Sequence, residues 1–245
     1  MIVVMNVRMR FHVQIPAKVS IGDINVCYGN FWPGTARCST TCLSRPMTKN
    51  WRNHRESFRH GNLPEALIAA ALQRLEDDGQ EAISLRELSR DVGVNHRAIY
   101  RHFPDRLSLM ARVAEEGWRL LGATMRSAAT SQKPGTRSLV AAGVALFVFA
   151  RNRPNLFALM GGPNFQGRTK FPALDRSIGQ TLELLRQGFL AAGTSQDAAL
   201  KQALIYASAL QGVVGQILWK RYRVLPKNAE GEVGRICEML IKGLR

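Results

Sequence analysis

The sequence predicts an all-α protein with a small three-helix head followed by a larger helical body. Three observations carry this. From Asn62 onward apolar residues recur at helical spacing, and Gly and Pro mostly fall between the periodic stretches. Start signals stand where helices should begin, with Asn62 and Glu65, and then Ser84 and Glu87, at capping-box spacing. No alternating strand pattern competes after residue 60. With 46% of 245 residues hydrophobic, the chain can bury a sizeable core.

The elements follow in order. Asn62 caps a first helix, Pro64 suits its first turn, and Ile68, Ala71, Leu72 and Leu75 face inward before Gly79 ends it. Ser84 opens a short second helix with Leu85, Leu88 and Val92 inward, and Gly93 breaks the chain. Asn95 caps a third helix, His96 to Phe103. Pro104-Asp105 ends it and caps a fourth, running through Leu107, Met110 and Val113 toward Trp118. Further helices are expected near 119–130, 136–152, 154–161, 172–192, 196–222 and 229–244.

Residues 1–58 look different. Turn formers and cysteines crowd Gly29 to Pro46, and no helical period is sustained. They are expected to be a poorly ordered extension, or the result of a start codon placed too early, with Met47 then the true start. Residues 59–118 then form the head, and 119–245 a regulatory and dimerisation body.

The formal net charge is +16, which points to an anionic partner, nucleic acid or a membrane surface. The longest apolar run, Leu139 to Ala150, is 12 residues and reads as a core helix, not a membrane span. The N-terminal arginines follow the apolar stretch, unlike a secretory signal. Four unevenly spaced cysteines suggest no disulfide framework, so the cytoplasm is the expected compartment. The charge is uneven: residues 1–60 hold +7, residues 61–118 hold −3, and the remainder +12.

Two short helices joined by Gly93 have helix–turn–helix spacing, in which the second helix presents its N-terminal residues to the major groove. Ile99 and Phe103 can face the core while His96, Arg97, Tyr100 and Arg101 share another face. Taken with Gly93-Val94, Ile99-Tyr100, His102-Phe103 and Arg106, the stretch Arg59–Trp118 resembles the N-terminal DNA-binding domain of TetR-type transcriptional regulators. Asn95 stands for the family's capping Ser, Ile99 for its Leu and Arg106 for its Lys. Ser89 stands where helix–turn–helix proteins usually carry Ala.

The resemblance implies roles. Tyr100, His102 and Ser84 would hold phosphates, and Arg106 would add a charged phosphate contact. Asn95, His96 and Arg97 would approach base edges, Arg97 most of all, and Arg86 would reach a base or the backbone. Arg101 shares the basic face. The resemblance also implies a C-terminal domain that binds a small molecule and dimerises. The segment ALFVFARNRPNLFALM resembles the helix–Pro–helix pattern of one C-terminal subgroup, from which the chain departs at Ala207 and Gln211-Gly212.

In the body, Phe147, Phe157, Met160 and Phe165, with Met125 on the preceding helix, are candidates for a ligand pocket. The last two helices carry Leu204, Ala207, Leu210, Val214, Ile217, Leu218, Ile236, Met239 and Leu240, enough for a four-helix dimer interface.

The expected function is a sequence-specific transcriptional regulator, a repressor released from a palindromic operator by a small molecule. The alternatives are a non-specific basic DNA-binding protein, and a helical small-molecule binder without a regulatory DNA role. No catalytic signature occurs after residue 60, so no enzyme and no cofactor is expected. Cys38, Cys42, His54 and His60 approach a zinc spacing but lack the apolar residues of a finger. Gly162 to Thr169 resembles a P-loop without its Lys and without a preceding strand.

Overall fold

The computed structural model describes residues 18–21, 24–27, 63–162, 165, 170–221 and 228–244. The expected cap Asn62, the Met47 start, the Cys38/Cys42/His54/His60 spacing and most of Gly162–Thr169 lie outside the described residues. Ahead of the helices, Lys18–Ile21 (β1) pairs antiparallel with Ile24–Cys27 (β2), with Lys18 opposite Cys27.

The rest is helical. The head comprises α1 (Leu63–Asp78), a single 3₁₀ turn at Gln80–Ala82, α2 (Leu85–Val92) and α3 (His96–His102). The body comprises α4 (Arg106–Thr130), α5 (Thr136–Asn152), α6 (Pro154–Gly161), α7 (Pro172–Ala191), α8 (Gln196–Leu218) and α9 (Ala229–Leu244). Pro154 and Pro172 occupy first-turn positions, where a missing N–H costs nothing. The all-α fold stands as expected.

Two expected boundaries move. The helix after Pro104 does not stop at Trp118: α4 is one helix of 25 residues, roughly 37 Å at 1.5 Å per residue. It starts in the head and runs into the body against α5 and α7. Gly117 does not break it. A Cβ there would lie 2.7 Å from Met160 Sδ and 2.9 Å from Leu156 Cδ1, so this glycine admits α6. At the other end, α8 stops at Leu218 and does not reach residue 222. Lys220 turns left-handed (φ 52°), Lys220 N–H donates to Ile217 O and Arg221 N–H to Gln216 O, the two bonds of a Schellman closure.

The body packs around α5, whose Ala141, Ala142, Ala145, Phe147 and Ala150 are buried. Tyr206 of α8 is wholly buried, donates to Leu139 O at 2.9 Å, and meets Phe189 edge-on at 5.7 Å. Cys237 of α9 is buried beside it, and burial pushes its thiol up to about 11. The thiolate is therefore scarce at pH 8. Cys237 is expected to resist iodoacetamide at pH 8 in the folded protein and to react once urea unfolds it. Peptide mass mapping reads this, and labelling of Cys237 at equal rates in both states would contradict it.

Candidate nucleic-acid interface and a cavity in the body

The head closes around a small core. Leu67, Ala71 and Leu75 of α1, Leu88 of α2, Ile99 of α3 and Phe103 are all nearly inaccessible. Gly93 takes the left-handed conformation (φ 74°) that ends α2, with Gly93 N–H donating to Arg90 O and Val94 N–H to Ser89 O. Ser89 is buried, and its hydroxyl donates to Arg86 O at 2.7 Å, so no polar group is stranded at the α2–α3 crossing. Asn95 then caps α3, its Oδ1 accepting from Arg97 N–H at 2.9 Å. Asp105 caps α4 through Ser108 N–H at 2.6 Å. Both caps match the expectation.

This turn geometry leaves Ile99 as the buried anchor of α3 and sets Asn95, His96, Arg97, Tyr100, Arg101 and His102 toward solvent. His96 and Tyr100 meet edge-on, 4.9 Å between centroids. Arg86 is exposed on α2. Among the described residues, no protein group hydrogen-bonds or ion-pairs with the side chains of Arg86, Arg97, Arg101 or His102. The candidates from Asn95 to His102 thus share one short helix and its cap, and their donors are available to a partner.

Two expectations at the edge of this face change. Ser84 sits at the N-cap of α2 but makes no side-chain cap bond, so the Ser84–Glu87 capping box does not form. The Glu87 carboxylate turns instead to Arg74 of α1. Its Nη1 pairs with Glu87 at 2.5 Å and its Nε with Asp91 at 2.6 Å, bracing α1 against α2. The Ser84 hydroxyl is left out of the cap. Arg106 is not a free cation: its Nε donates to Ile83 O at 2.9 Å and its Nη2 to Gln80 O at 2.6 Å. It ties the start of α4 to the turn after α1, joining the Ile83 N–H as a donor to Gln80 O.

In the body, α4, α5, α6, α7 and α8 line a solvent-open cavity of about 370 Å³. Met125, Phe157, Met160 and Phe165 are among its lining residues. Phe147 is not. It follows Leu146, which does line the cavity, and one residue along a helix turns the side chain by about 100°. Phe147 is buried elsewhere, under the Arg151 guanidinium at 5.5 Å from its ring centroid. Sequence reasoning missed Trp118, Leu121, Thr181, Ser208 and Gln211, which also form the wall. Trp118 and Leu121 precede Met125 by seven and four positions on one face of α4, a spacing that could have found them.

The expected dimer set also divides. Leu210, Val214 and Ile217 are buried within the protomer, while Leu204 and Met239 are exposed, as are Leu200 and Ile205.

Residues 67–113 match the family model described as bacterial regulatory proteins, tetR family. The head is that of a TetR-type regulator. The match spans most of the TetR head, α1 to α3 and the first part of α4. Over 188 residues the chain is 24% identical to a nucleoid occlusion factor SlmA of Shewanella sp. strain MR-4, covering 72% of this chain and 93% of that protein. The fold extends to solved structures. A protein of unknown function from Rhodococcus sp. RHA1 superposes with a TM-score of 0.66 and 26% identity, over 77% of this chain and 98% of the other. A TetR variant from Acinetobacter baumannii AYE in complex with minocycline gives 0.53 and 18%, over 73% and 94%. The head of a TetR-family regulator is a DNA-binding helix–turn–helix, and in this chain that is α2, the Gly93 turn and α3. Among the described residues, no helix is long and apolar enough to cross a membrane.

One further contact joins the TetR head to the body. Glu76 of α1 accepts from Leu156 N–H at 3.2 Å, and Asn155 Nδ2 donates to Glu76 O at 3.2 Å. The first turn of α6 is thereby fastened to the last turn of α1. Burial pushes the Glu76 carboxyl up, against the opposing pull of the Leu156 N–H and of Arg153.

Proposed function

We propose that this protein is a dimeric, sequence-specific transcriptional repressor that a small molecule releases from a palindromic operator. The observation that carries the reading is the exposed α3 face, whose Asn95, His96 and Arg97 lie at the N-terminal turn that enters a major groove. In this reading Arg97 reads a base edge, Tyr100, His102 and the uncapped Ser84 hydroxyl hold phosphates, and Arg86 and Arg101 add backbone charge. Arg106 holds the head together and is not assigned to DNA. The exposed apolar residues Leu204 of α8 and Met239 of α9 support pairing of two copies through these helices. A two-fold dimer sets two reading helices about 34–36 Å apart or a multiple of that, which calls for a palindrome.

The cavity supports an effector site, as does the minocycline complex of the structurally similar Acinetobacter protein. Effector and operator must then favour different conformations, since only differential affinity shifts such an equilibrium. The link available is Glu76. Phe157 and Met160 of α6 form cavity wall, and the same helix is fastened to α1.

A Glu76→Leu variant removes the acceptor of the Leu156 N–H and is expected to cost about 1–2 kcal/mol. Glu76→Gln keeps an acceptor and removes the burden of burying a charge. A carboxyl held above its ordinary value binds its proton more tightly folded than unfolded, so its contribution to stability grows as pH falls and declines as pH rises. Glu76→Gln is therefore expected to match or exceed the parent at pH 7. Urea midpoints of the three proteins check both statements, and equal loss in the two variants would contradict them.

The test of the proposed role is transcript profiling of a strain lacking the gene. Repression predicts a small set of transcripts that rise and return with the wild-type gene but not with Arg97→Ala. Transcripts that only fall would overturn repression. A light-scattering mass of one protomer at micromolar concentration would overturn the dimer.

A further inference from the structure

We infer that Glu76 is a positioning residue for DNA binding: with Asn155 and Leu156 it fixes the head against the body, and so sets which separation of half-sites a pair of heads accepts. The inference rests on the paired, sequence-specific reading above and adds a residue that does not itself touch DNA.

The geometry is a triangle of helices tied at each corner. Its common side is α4, which runs through both head and body. At the start of α4, Arg106 binds the carbonyls of Gln80 and Ile83, just after α1, and so fastens α4 to that end of α1. Eleven residues on, about 16 Å at 1.5 Å per residue, α6 seats on α4 at Gly117. A Cβ there would lie 2.9 Å from Leu156 Cδ1 and 2.7 Å from Met160 Sδ. The third corner joins α6 back to α1. Leu156 N–H donates to the Glu76 carboxylate and Asn155 Nδ2 to Glu76 O, both at 3.2 Å.

Leu156 serves two corners. Its side chain is wholly buried and reaches α4 at Gly117, while its backbone N–H is held by α1. The head therefore cannot tilt about α4 without pulling Glu76 away from the first turn of α6. Two bars joined at one end swing freely, and a tie between their far ends stops them. Glu76 and Asn155 are both partly buried, so water does not replace their bonds without cost. The consequence falls on DNA. Moving a half-site by one base pair displaces it about 3.4 Å along the duplex and turns it by about 35°. Heads held at one angle discriminate between such sites. Loosened heads reach several of them, and pay an ordering cost on each.

The experiment uses the full chain and the duplex it selects from a random pool. Versions of that duplex move the half-sites one or two base pairs together or apart, and one further duplex carries a single half-site. Fluorescence anisotropy measures affinity for each. Glu76→Leu removes the acceptor from the α1 side, Asn155→Leu removes a donor from the α6 side, and neither alters α3. In each variant the parent's preference for its own spacing over a neighbouring one is expected to fall about fivefold, the worth of one hydrogen bond. Affinity for the single half-site should stay that of the parent. Glu76→Gln keeps an acceptor for the Leu156 N–H and should keep the parent's spacing preference. A merely structural role predicts a different pattern, with affinity lowered for every duplex alike and the spacing preference unchanged. That pattern, or a Glu76→Gln that loses the preference as Glu76→Leu does, overturns the inference. Asn155→Leu leaves the sequence of the head intact, so the test stands if Glu76→Leu fails to fold. A parent indifferent to spacing overturns the paired reading itself, whereas a preference that survives both leucine variants overturns only the role of Glu76.

Discussion

Arg97→Ala is expected to relax sequence preference at one base pair of each half-site, lowering discrimination there by about 1–3 kcal/mol. Arg97 is exposed in the first turn of α3, its backbone N–H is held by the Asn95 cap, and no described protein group engages its guanidinium. The side chain is therefore positioned at its base and free at its tip, as a base-reading arginine must be. Tyr100→Phe and His102→Ala should behave differently. Tyr100 is 44% exposed on the same helix, and loss of a phosphate contact lowers affinity for every duplex alike. Competition anisotropy against single-base variants of a bound site separates the two patterns. An Arg97→Ala protein that keeps the parent's full preference would remove Arg97 from base reading.

Phe147→Ala is expected to be the most destabilising single change considered, at about 3–5 kcal/mol, because a buried aromatic leaves a cavity that the surroundings fill poorly. Phe147 is 1% exposed in the core of the body, apart from the cavity. The variant should lower the urea midpoint and leave the preference of the cavity for its ligands intact in the folded protein. Phe157→Ala removes cavity wall and should alter that preference as well. If Phe147→Ala changed ligand selection while leaving stability unchanged, the assignment of Phe147 to the core would be wrong.

The parts of the fold that were legible are those decided within a few residues. Asn95 and Asp105 cap because their side-chain oxygens reach N–H groups two and three positions on, and Gly93 turns because its own φ is positive. The α3 face follows from helical period alone once Ile99 points inward. What failed depended on distant partners. Ser84 and Glu87 have capping-box spacing, but Arg74, 13 positions before Glu87, takes the carboxylate. Arg106 has the charge for a phosphate, but Ile83 and Gln80 present carbonyls to it. Gly117 has the residue type of a helix stop, but the approach of Met160 and Leu156 makes it a point of close packing. The cavity was half legible. Met125, Phe157, Met160 and Phe165 are readable in the sequence and Trp118 follows from its spacing to Met125, while Thr181 and Gln211 lie on α7 and α8, whose convergence on α4 no local spacing reveals.

The acidic balance of residues 61–118 is compatible with DNA binding, because the acid groups and the α3 face separate. Glu87 and Asp91 are paired with Arg74, and Asp105 is held in a cap that lowers its carboxyl below the ordinary range. The cations of α3 have no such partner among the described residues.

The central claim is that this α3 face reads DNA sequence as one of a pair. Selection of bound duplexes from a random pool by the purified chain tests it most directly. The account predicts a palindromic site whose half-sites lie one helical turn or a multiple apart, centre to centre, and whose recovered motif loosens at one position in each half with Arg97→Ala. A pool that shows no preference after repeated rounds, with affinity that only falls steeply with salt, would contradict it and mark a non-specific basic DNA-binding protein.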